Sequence, residues 1–268
     1  MPQDGAGGDG VSRPALERLR GAGFDVLASN HAAAILSVDF PDETEELTRG
    51  LLSFSLPVEE LIASGGGEAA STQRLRRRLS QAGWNKHVFR TETKIDGQVR
   101  QATSHEIDHV RRAGAGTLAL EIEWNNKDPF FDRDLENFQR LHAQSAISLG
   151  IVITRGAAMQ AALTRLVREV IAGRGIVDEE DFAALGMKDR TARQRDAVAR
   201  AVARGMPFAD AFARQFVADK FGQATTHWSK LADRVARGVG NPCPLLLLGL
   251  PVSAIGGEPA ERDETTLL

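Results

Sequence analysis

The 268-residue sequence has a single cysteine, Cys243, and no long apolar run. One cysteine excludes an internal disulfide framework and any zinc site that needs several cysteines. The longest apolar candidate, Leu245–Leu250, falls far short of the roughly 20 residues that a membrane-spanning helix needs. The first ten residues, MPQDGAGGDG, are acidic and glycine-rich, unlike a signal or transit peptide. We therefore expect a cytoplasmic protein with no membrane partner.

An excess of positive charge is also missing, but the charge is unevenly distributed. The whole chain has a net charge of −3. Residues 1–70 hold 4 basic and 12 acidic side chains, whereas residues 181–240 hold 11 basic and 6 acidic ones. A basic C-terminal third can present a positive face to phosphate groups. The mean charge therefore does not exclude a partner such as DNA.

With 42% hydrophobic residues, the composition is that of a folded domain and excludes disorder as the main state. We expect one domain over residues 13–254, a disordered leader over 1–12 and a flexible acidic tail over 255–268. An Asp-Gly pair at 96–97 between two extended segments predicts a β-hairpin. The patterns predict strands over residues 32–39, 86–95, 98–104, 105–112, 117–124 and 151–154. They predict helices over residues 14–22, 43–53, 57–63, 68–83, 134–149, 159–172, 191–203 and 208–218. This mixture is typical of an α/β domain.

The strand predicted over residues 117–124 carries two carboxylates in an alternating pattern. Period two places its large apolar side chains on one face and Glu121 and Glu123 on the other. Asp108, in the strand before it, is positioned to join them across a hairpin. Clustered carboxylates suit Mg²⁺ or Ca²⁺, and such an ion can support phosphodiester hydrolysis. The alternative is an ordinary solvated sheet face, and the spacing alone leaves both open.

Three sequence blocks resemble the BglII-type restriction endonucleases, a branch of the PD-(D/E)xK nuclease superfamily related to the BamHI enzyme. They are HEIDH at 105–109, EIEWNNKDPFFDRD at 121–134 and GVGNPCP at 238–244. The likeness runs from about residue 65 to about residue 251. It implies an α/β core in which helices flank a central mixed β-sheet, with a catalytic core over about 65–155 and a helical, DNA-reading part over about 156–254. It also implies a homodimer that cuts double-stranded DNA with Mg²⁺.

By position in these blocks, the resemblance makes Asp108, Glu121 and the Ile122 carbonyl the metal ligands, for one or two Mg²⁺ ions per site. Glu123 stands where the superfamily usually has lysine, and it is expected to act as a base or as a ligand of a second ion. Glu68 opens a predicted helix where such nucleases often have a further catalytic acid. Its alternative role is to complement the helix dipole.

Basic and amide side chains near these blocks are candidate DNA contacts. Clustered arginines bind backbone phosphates, and amides recognise phosphates or base edges. The alternatives are a solvated helix face for the arginines, a simple turn at 125–126 and a helix N-cap at Asp134. The candidates are Arg74, Arg77, Lys86, Asn125, Asn126, Lys127, Arg133, Thr226, His227, Lys230 and Arg234.

The leading hypothesis is a type II restriction endonuclease that works beside a cognate DNA methyltransferase and cuts a short palindrome. A GATC-centred site with 5′ overhangs is what BglII-like relatives suggest. One alternative is another nuclease of the superfamily, active in repair or recombination. A second alternative is a DNA-binding relative without catalytic activity.

Overall fold

The computed structural model describes residues 14–62, 69–185 and 190–256. These residues form six strands, β1 (Asp25–Ser29), β2 (Asn85–Ile95), β3 (Gln98–Ala113), β4 (Gly116–Glu123), β5 (Leu149–Arg155) and β6 (Leu245–Leu250). They also form ten α-helices, α1 (Ala15–Gly21), α2 (Ala32–Val38), α3 (Pro41–Leu52), α4 (Val58–Ile62), α5 (Ala70–Gln81), α6 (Pro129–Ala143), α7 (Ala157–Gly173), α8 (Ala192–Ala203), α9 (Phe208–Lys220) and α10 (Trp228–Ala236). The predicted leader, Glu68 and most of the predicted acidic tail lie outside the described residues.

All six strands belong to one mixed sheet in the order β1-β6-β5-β4-β3-β2. Strands β4, β5 and β6 run parallel to one another, and the other three pairings are antiparallel. The sequences LGIVITR of β5 and LLLLGL of β6 are buried throughout. Such continuous apolar runs are typical of strands that are covered on both faces. The predicted α/β fold with a central mixed sheet is confirmed.

Helices cover both faces of this sheet. One face packs against α1, α2, α3 and α5, with Leu19, Leu36 and Leu47 among the buried residues. The other face packs against α6 and α10 through residues such as Phe138 and Leu231. A third apolar cluster joins α4, α7 and α9. Within the described ranges, no helix is both long enough and apolar enough to span a membrane.

The predicted hairpin at Asp96-Gly97 is confirmed, since both residues adopt positive φ angles of 51° and 79°. Positive φ at both central residues is the signature of a two-residue type I′ turn. The two strands predicted over 98–104 and 105–112 are one long strand, β3. Between Asn85 and His87 the partner residue on β3 changes from Val110 to Ile107. Strand β3 therefore has one extra residue there, a β-bulge next to Asp108.

Two of the predicted elements were wrong. Residues 32–39, predicted as a strand, form helix α2 because three consecutive alanines favour a helix and Ala32 and Leu36 are buried on one side of it. The helix predicted over 134–149 spans Pro129–Ala143 instead, because proline at its first turn starts the helix early. Leu149, the last residue of the predicted helix, is the first residue of β5. Strands β1 and β6 and helix α10 were not predicted.

Candidate active site

Glu121 and Glu123 lie at the carboxyl end of β4, where the sheet face is covered by α6. Only 4% of Glu121 and 3% of Glu123 is exposed. The alternation predicted for this strand is confirmed, because Leu118 and Leu120 pack into the core on the opposite face. The alternative of a solvated sheet face is therefore wrong. Two buried carboxyl groups two residues apart need a compensating partner.

Asp108 is brought beside Glu121 by the pairing of β3 with β4. The last paired residues are His109 and Leu120, so Asp108 and Glu121 come next in the same register. Besides burial, the charge of the Asp108 side chain raises the pKa of Glu121, and the backbone N–H of Asp108 lowers it. The Asp108 side chain is about half exposed, at 49%. The β-bulge thus puts one accessible carboxylate next to one buried carboxyl group.

The last two main-chain carbonyls of β4, those of Ile122 and Glu123, point to opposite edges of the strand. The Thr154 hydroxyl on β5 donates to the Glu123 carbonyl at 2.8 Å. Successive carbonyls of a strand point to opposite edges. The Ile122 carbonyl is therefore directed to the β3 side, the side on which Asp108 lies.

Glu123 is held by a small polar network from the start of α6. Asn126 Nδ2 donates to Glu123 Oε2 at 2.5 Å, and Arg133 Nη2 lies 3.5 Å from Glu123 Oε1. Arg133 Nε also donates to Asp134 Oδ1 at 2.8 Å. Asp134 is 1% exposed, and its Oδ2 accepts no hydrogen bond from a described donor. Glu123 is therefore fixed in place beside a further buried acid.

The helix N-cap role predicted for Asp134 is wrong, because α6 begins at Pro129 and Asp134 lies inside it. Its position follows from the helix period. Phe131, Leu135 and Phe138 are all buried in the core, and Asp134 is buried between them in sequence. An acidic residue on the apolar face of a helix was the signal available in the sequence.

Crowding and burial raise the pKa values of these acids. Burial is the main cause of a Glu121 pKa of about 10, and the charges of Asp134 and Asp108 add to it. Burial and then Asp134 raise the pKa of Glu123 to about 8. The pKa of Asp134 is raised in turn by burial. Such mutual repulsion makes the group attractive to a cation, which favours the charged form of every acid near it.

The donor chemistry fits a hard divalent ion, although no finished cage exists. Within residues 14–62, 69–185 and 190–256, no three or more His, Cys, Asp or Glu side chains are grouped to hold a metal ion. Asp108, Glu121 and the Ile122 carbonyl offer oxygen ligands only. Mg²⁺ is commonly bound by one or two carboxylates, with water and substrate phosphate completing its shell. The residues present fit that mode of binding.

The chain that leaves β4 forms a small two-stranded ribbon with a segment before α10. We call residues 125–128 and 224–226 the exit ribbon. The Asp128 N–H donates to the Ala224 carbonyl at 3.0 Å, and the Thr226 N–H donates to the Asn126 carbonyl at 2.9 Å. The Asn126 N–H in turn donates to Thr226 Oγ1 at 3.0 Å. These bonds give the polar residues after β4 a fixed backbone.

Arg155, at the end of β5, was not predicted as a site residue, and it is completely buried behind the exit ribbon. It donates to the Trp124 carbonyl, to Asn125 Oδ1 and to Thr225 Oγ1. Burial lowers its pKa to about 9. A charged residue that directly follows the strand predicted over residues 151–154 was the signal that sequence reasoning missed.

The structure divides the predicted DNA contacts into exposed and buried groups. Asn126, Lys127 and Arg133 are exposed around the mouth of the site, and Arg77 is exposed on α5. Lys86 lies beside Glu106 and Asp108, at 2.7 and 3.7 Å from their carboxylates. Three further candidates form ion pairs within the protein: Arg74 with Glu60, Lys230 with Asp128, and Arg234 with Asp128 and Asp132. Thr226 and His227 are buried.

A comparison with protein families finds a match over most of this chain. The model of the family described as "Restriction endonuclease BglII/BglIII" matches residues 24–250. That stretch contains all six strands, the acidic cluster and the exit ribbon. No curated protein matches the sequence.

Proposed function

The chain belongs to the BglII/BglIII family of restriction endonucleases, and from this membership we propose that it cuts double-stranded DNA at a short palindromic site with Mg²⁺. The membership makes it a type II site-specific deoxyribonuclease, a hydrolase. Enzymes of this family generally use a divalent metal ion. The observation that carries the proposal is Asp108 placed next to Glu121 and Glu123 at the open end of β4.

Asp108, Glu121 and the Ile122 carbonyl would hold the ion in our proposal. A bound Mg²⁺ would polarise the scissile phosphate and lower the pKa of a nearby water molecule. Burial keeps Glu121 in one orientation, while the exposed Asp108 faces the side from which DNA approaches. Lys86, whose Nζ lies 3.7 Å from Asp108 Oδ1, would contact the phosphate backbone there.

Glu123 would accept the proton of the attacking water. The water oxygen forms a new bond to phosphorus while one phosphodiester P–O bond breaks, and the leaving oxygen takes up a proton from solvent. Asn126 and Arg133 hold the Glu123 carboxylate by its two oxygens, so its orientation is set before substrate binds. The lysine usual at this position in the superfamily cannot accept a proton while it is charged.

DNA would lie across the exposed residues around this end of the sheet. Asn126, Lys127 and Arg133 present polar and cationic groups there, and Arg77, exposed on α5, would bind the phosphate backbone. We propose a homodimer, because two copies related by a two-fold axis match the symmetry of a palindrome and cut both strands. A GATC-centred site with 5′ overhangs, and a cognate methyltransferase in the same cytoplasm, complete the proposal.

Incubation of the purified protein with plasmid DNA tests the function. Discrete fragments that need Mg²⁺, vanish in EDTA and vanish in Glu121→Ala would support the proposal. Glu136→Ala, at an exposed position of α6, is the matched control and should cut normally. Sequencing the ends then gives the recognition site and the overhang.

Other outcomes of this experiment favour other functions. Cleavage restricted to branched or damaged DNA would replace restriction by a repair or recombination role. Tight binding of duplex DNA without cleavage, under every divalent ion, would indicate a binding protein and overturn the proposal. A smear that depends on Glu121 would keep the chemistry and remove the sequence specificity.

A further inference from the structure

Arg155 connects three separate segments behind the candidate DNA-binding face. Its Nη1 donates to the Trp124 carbonyl at 2.8 Å and to Asn125 Oδ1 at 2.7 Å. Its Nη2 donates to Thr225 Oγ1 at 2.8 Å, and its Nε donates to Gln160 Oε1 at 2.9 Å. One guanidinium group therefore ties the end of the catalytic strand to α7 and to the exit ribbon.

Every one of these acceptors is neutral. Burial lowers the pKa of Arg155, and none of the described acids forms an ion pair with it. The faces of the Phe221 and Trp124 rings, 5.0 and 5.8 Å from the guanidinium carbon, provide further contacts. A fully buried arginine without a carboxylate costs stability. Its contacts therefore point to a task that an apolar side chain does not perform.

That task concerns the side-chain amide of Asn125. An asparagine amide has one accepting oxygen and one donating NH₂ group. Because Oδ1 accepts from Arg155, the NH₂ group of the partly buried Asn125 is left on the other side. Rotating the amide by 180° would place the NH₂ donors against the guanidinium donors. Arg155 thus permits only one of the two amide orientations.

The neighbouring asparagine has the opposite polarity. Asn126 donates through Nδ2 to Glu123, so its oxygen is the free end of its amide. The two adjacent amides at the mouth of the site therefore differ. Asn125 offers donors, and Asn126 offers an acceptor.

We propose that Arg155 is a positioning residue that holds Asn125 as a hydrogen-bond donor to acceptor atoms of the bound DNA. This inference rests on the proposed DNA cleavage. DNA has two kinds of acceptor within reach of such a donor, the phosphate oxygens and the base edges of the major groove, such as purine N7. Both kinds of acceptor require a hydrogen-bond donor, which the NH₂ group of Asn125 provides.

The test is Asn125→Asp, a change of nearly the same shape. Aspartate gives Arg155 a carboxylate partner, and it faces the DNA with an acceptor in place of a donor. We expect a higher melting temperature than that of the wild type. We also expect affinity for a duplex carrying the sequenced cleavage site, measured in EDTA, to fall roughly ten- to a hundred-fold.

Gln223→Glu is the matched control for the added charge, since Gln223 is exposed just before the exit ribbon. It should weaken binding much less than Asn125→Asp does. In Arg155→Lys the fork of donors is lost and the amide is free to rotate. Discrimination between the cleavage site and sites with one changed base pair should then fall, if the acceptor is a base edge. If the affinity falls equally for all DNA sequences, and its salt dependence decreases by about one phosphate contact, the acceptor is a phosphate instead.

Two results would overturn the inference. One is that the wild type is an active nuclease and the Asn125→Asp protein binds and cuts DNA equally well. The other is a melting temperature of Asn125→Asp below that of the wild type, which would contradict the pairing with Arg155. A wild type that neither binds nor cuts DNA would instead remove the proposed function.

Discussion

At the scale of single residues, the site is defined by acids that differ in their surroundings. Asp108 is half exposed on a β-bulge, Glu121 is buried beside it, and Glu123 is buried but held by Asn126 and Arg133. The bulge matters because it adds a residue that a regular strand would not have. In the proposed mechanism, these differences would assign metal binding to Asp108 and Glu121 and proton transfer to Glu123.

The role of Glu123 is tested by Glu123→Gln. Glutamine keeps the size and polarity of the side chain but accepts no proton from water at neutral pH. We expect the single-turnover cleavage rate in Mg²⁺ to fall by roughly 10²- to 10⁴-fold, the usual contribution of a general base. DNA affinity in EDTA should remain within about threefold, because Glu123 is not an exposed DNA contact.

Glu136→Gln serves as the control for this experiment, at an exposed position on the helix that covers the site. A Glu123→Gln enzyme with the wild-type rate would show that Glu123 is not the base. A rate that recovers only at much higher Mg²⁺ concentration would identify Glu123 as a ligand of a second ion.

At the scale of elements, predictions succeeded where periodicity and burial agree. The alternating pattern of β4 and the Asp-Gly turn identified their elements, because one-sided burial and positive φ leave local signs in the sequence. Helix α2 was missed because its Ile35, Leu36 and Val38 also suit a strand. The sequence LLLLGL of β6 has no period, since both faces of that strand are buried.

In the candidate site, too, the sequence predicts only those residues whose position follows from local patterns. Asp108, Glu121 and Glu123 follow from local spacing together with the family resemblance. Asp134 and Arg155 come from other elements, and only the packing of α6 and the order of the strands brings them to the site. Burial of Thr226 and His227 depends on the pairing of residues 125–128 with residues 224–226, almost one hundred positions away.

The contact between α6 and β5 depends on a glycine. A Cβ on Gly150 would lie 2.4 Å from Phe138 Cδ2, much closer than side chains pack. We expect Gly150→Ala to lower the free energy of unfolding by about 1–3 kcal/mol, the usual cost of overpacking a core. Urea denaturation measures the change.

Gly114→Ala is the control, since nothing lies within 4 Å of the added Cβ. Its effect should stay within about 0.5 kcal/mol. Gly150→Ala combined with Phe138→Leu should destabilise less than the sum of the two single changes, because the smaller side chain relieves the clash. Strict additivity of the two changes would contradict the proposed contact.

At the scale of the whole molecule, widely separated parts of the chain are joined around the third apolar cluster. Lys220 at the end of α9 donates through Nζ to the Leu61 carbonyl of α4 at 2.9 Å, across 159 residues. Burial lowers the pKa of Lys220 to about 8, from an ordinary value of 10.5. The folded protein therefore carries a cation that burial disfavours at neutral pH.

This shift predicts a pH dependence of stability with a definite sign. Between about pH 8 and pH 10.5 the unfolded chain binds more protons at Lys220 than the folded chain does. The contribution of Lys220 to the free energy of unfolding therefore rises with pH across this window. Below pH 8 the destabilising effect is fully present.

The comparison of wild type with Lys220→Met isolates this contribution. The stability of the wild type relative to Lys220→Met should increase from pH 7.5 to pH 10 in chemical denaturation. Lys94→Met, at an exposed position on β2, should show no such trend relative to the wild type. A difference between wild type and Lys220→Met that stays constant with pH would contradict the shifted pKa.

The order of the strands also determines when the sheet can be completed during synthesis of the chain. Strand β6 lies between β5 and β1, and residues 25–29 pair with residues 245–249. Strand β1 therefore cannot pair with β6 until β6 has been synthesised. Both neighbours of β6 in the sheet are far from it in the sequence. A ribosome-bound chain that ends before residue 245 lacks the strand that completes the sheet beneath Glu121. We therefore expect incomplete nascent chains to leave DNA intact, because the sheet that carries Glu121 is not yet complete.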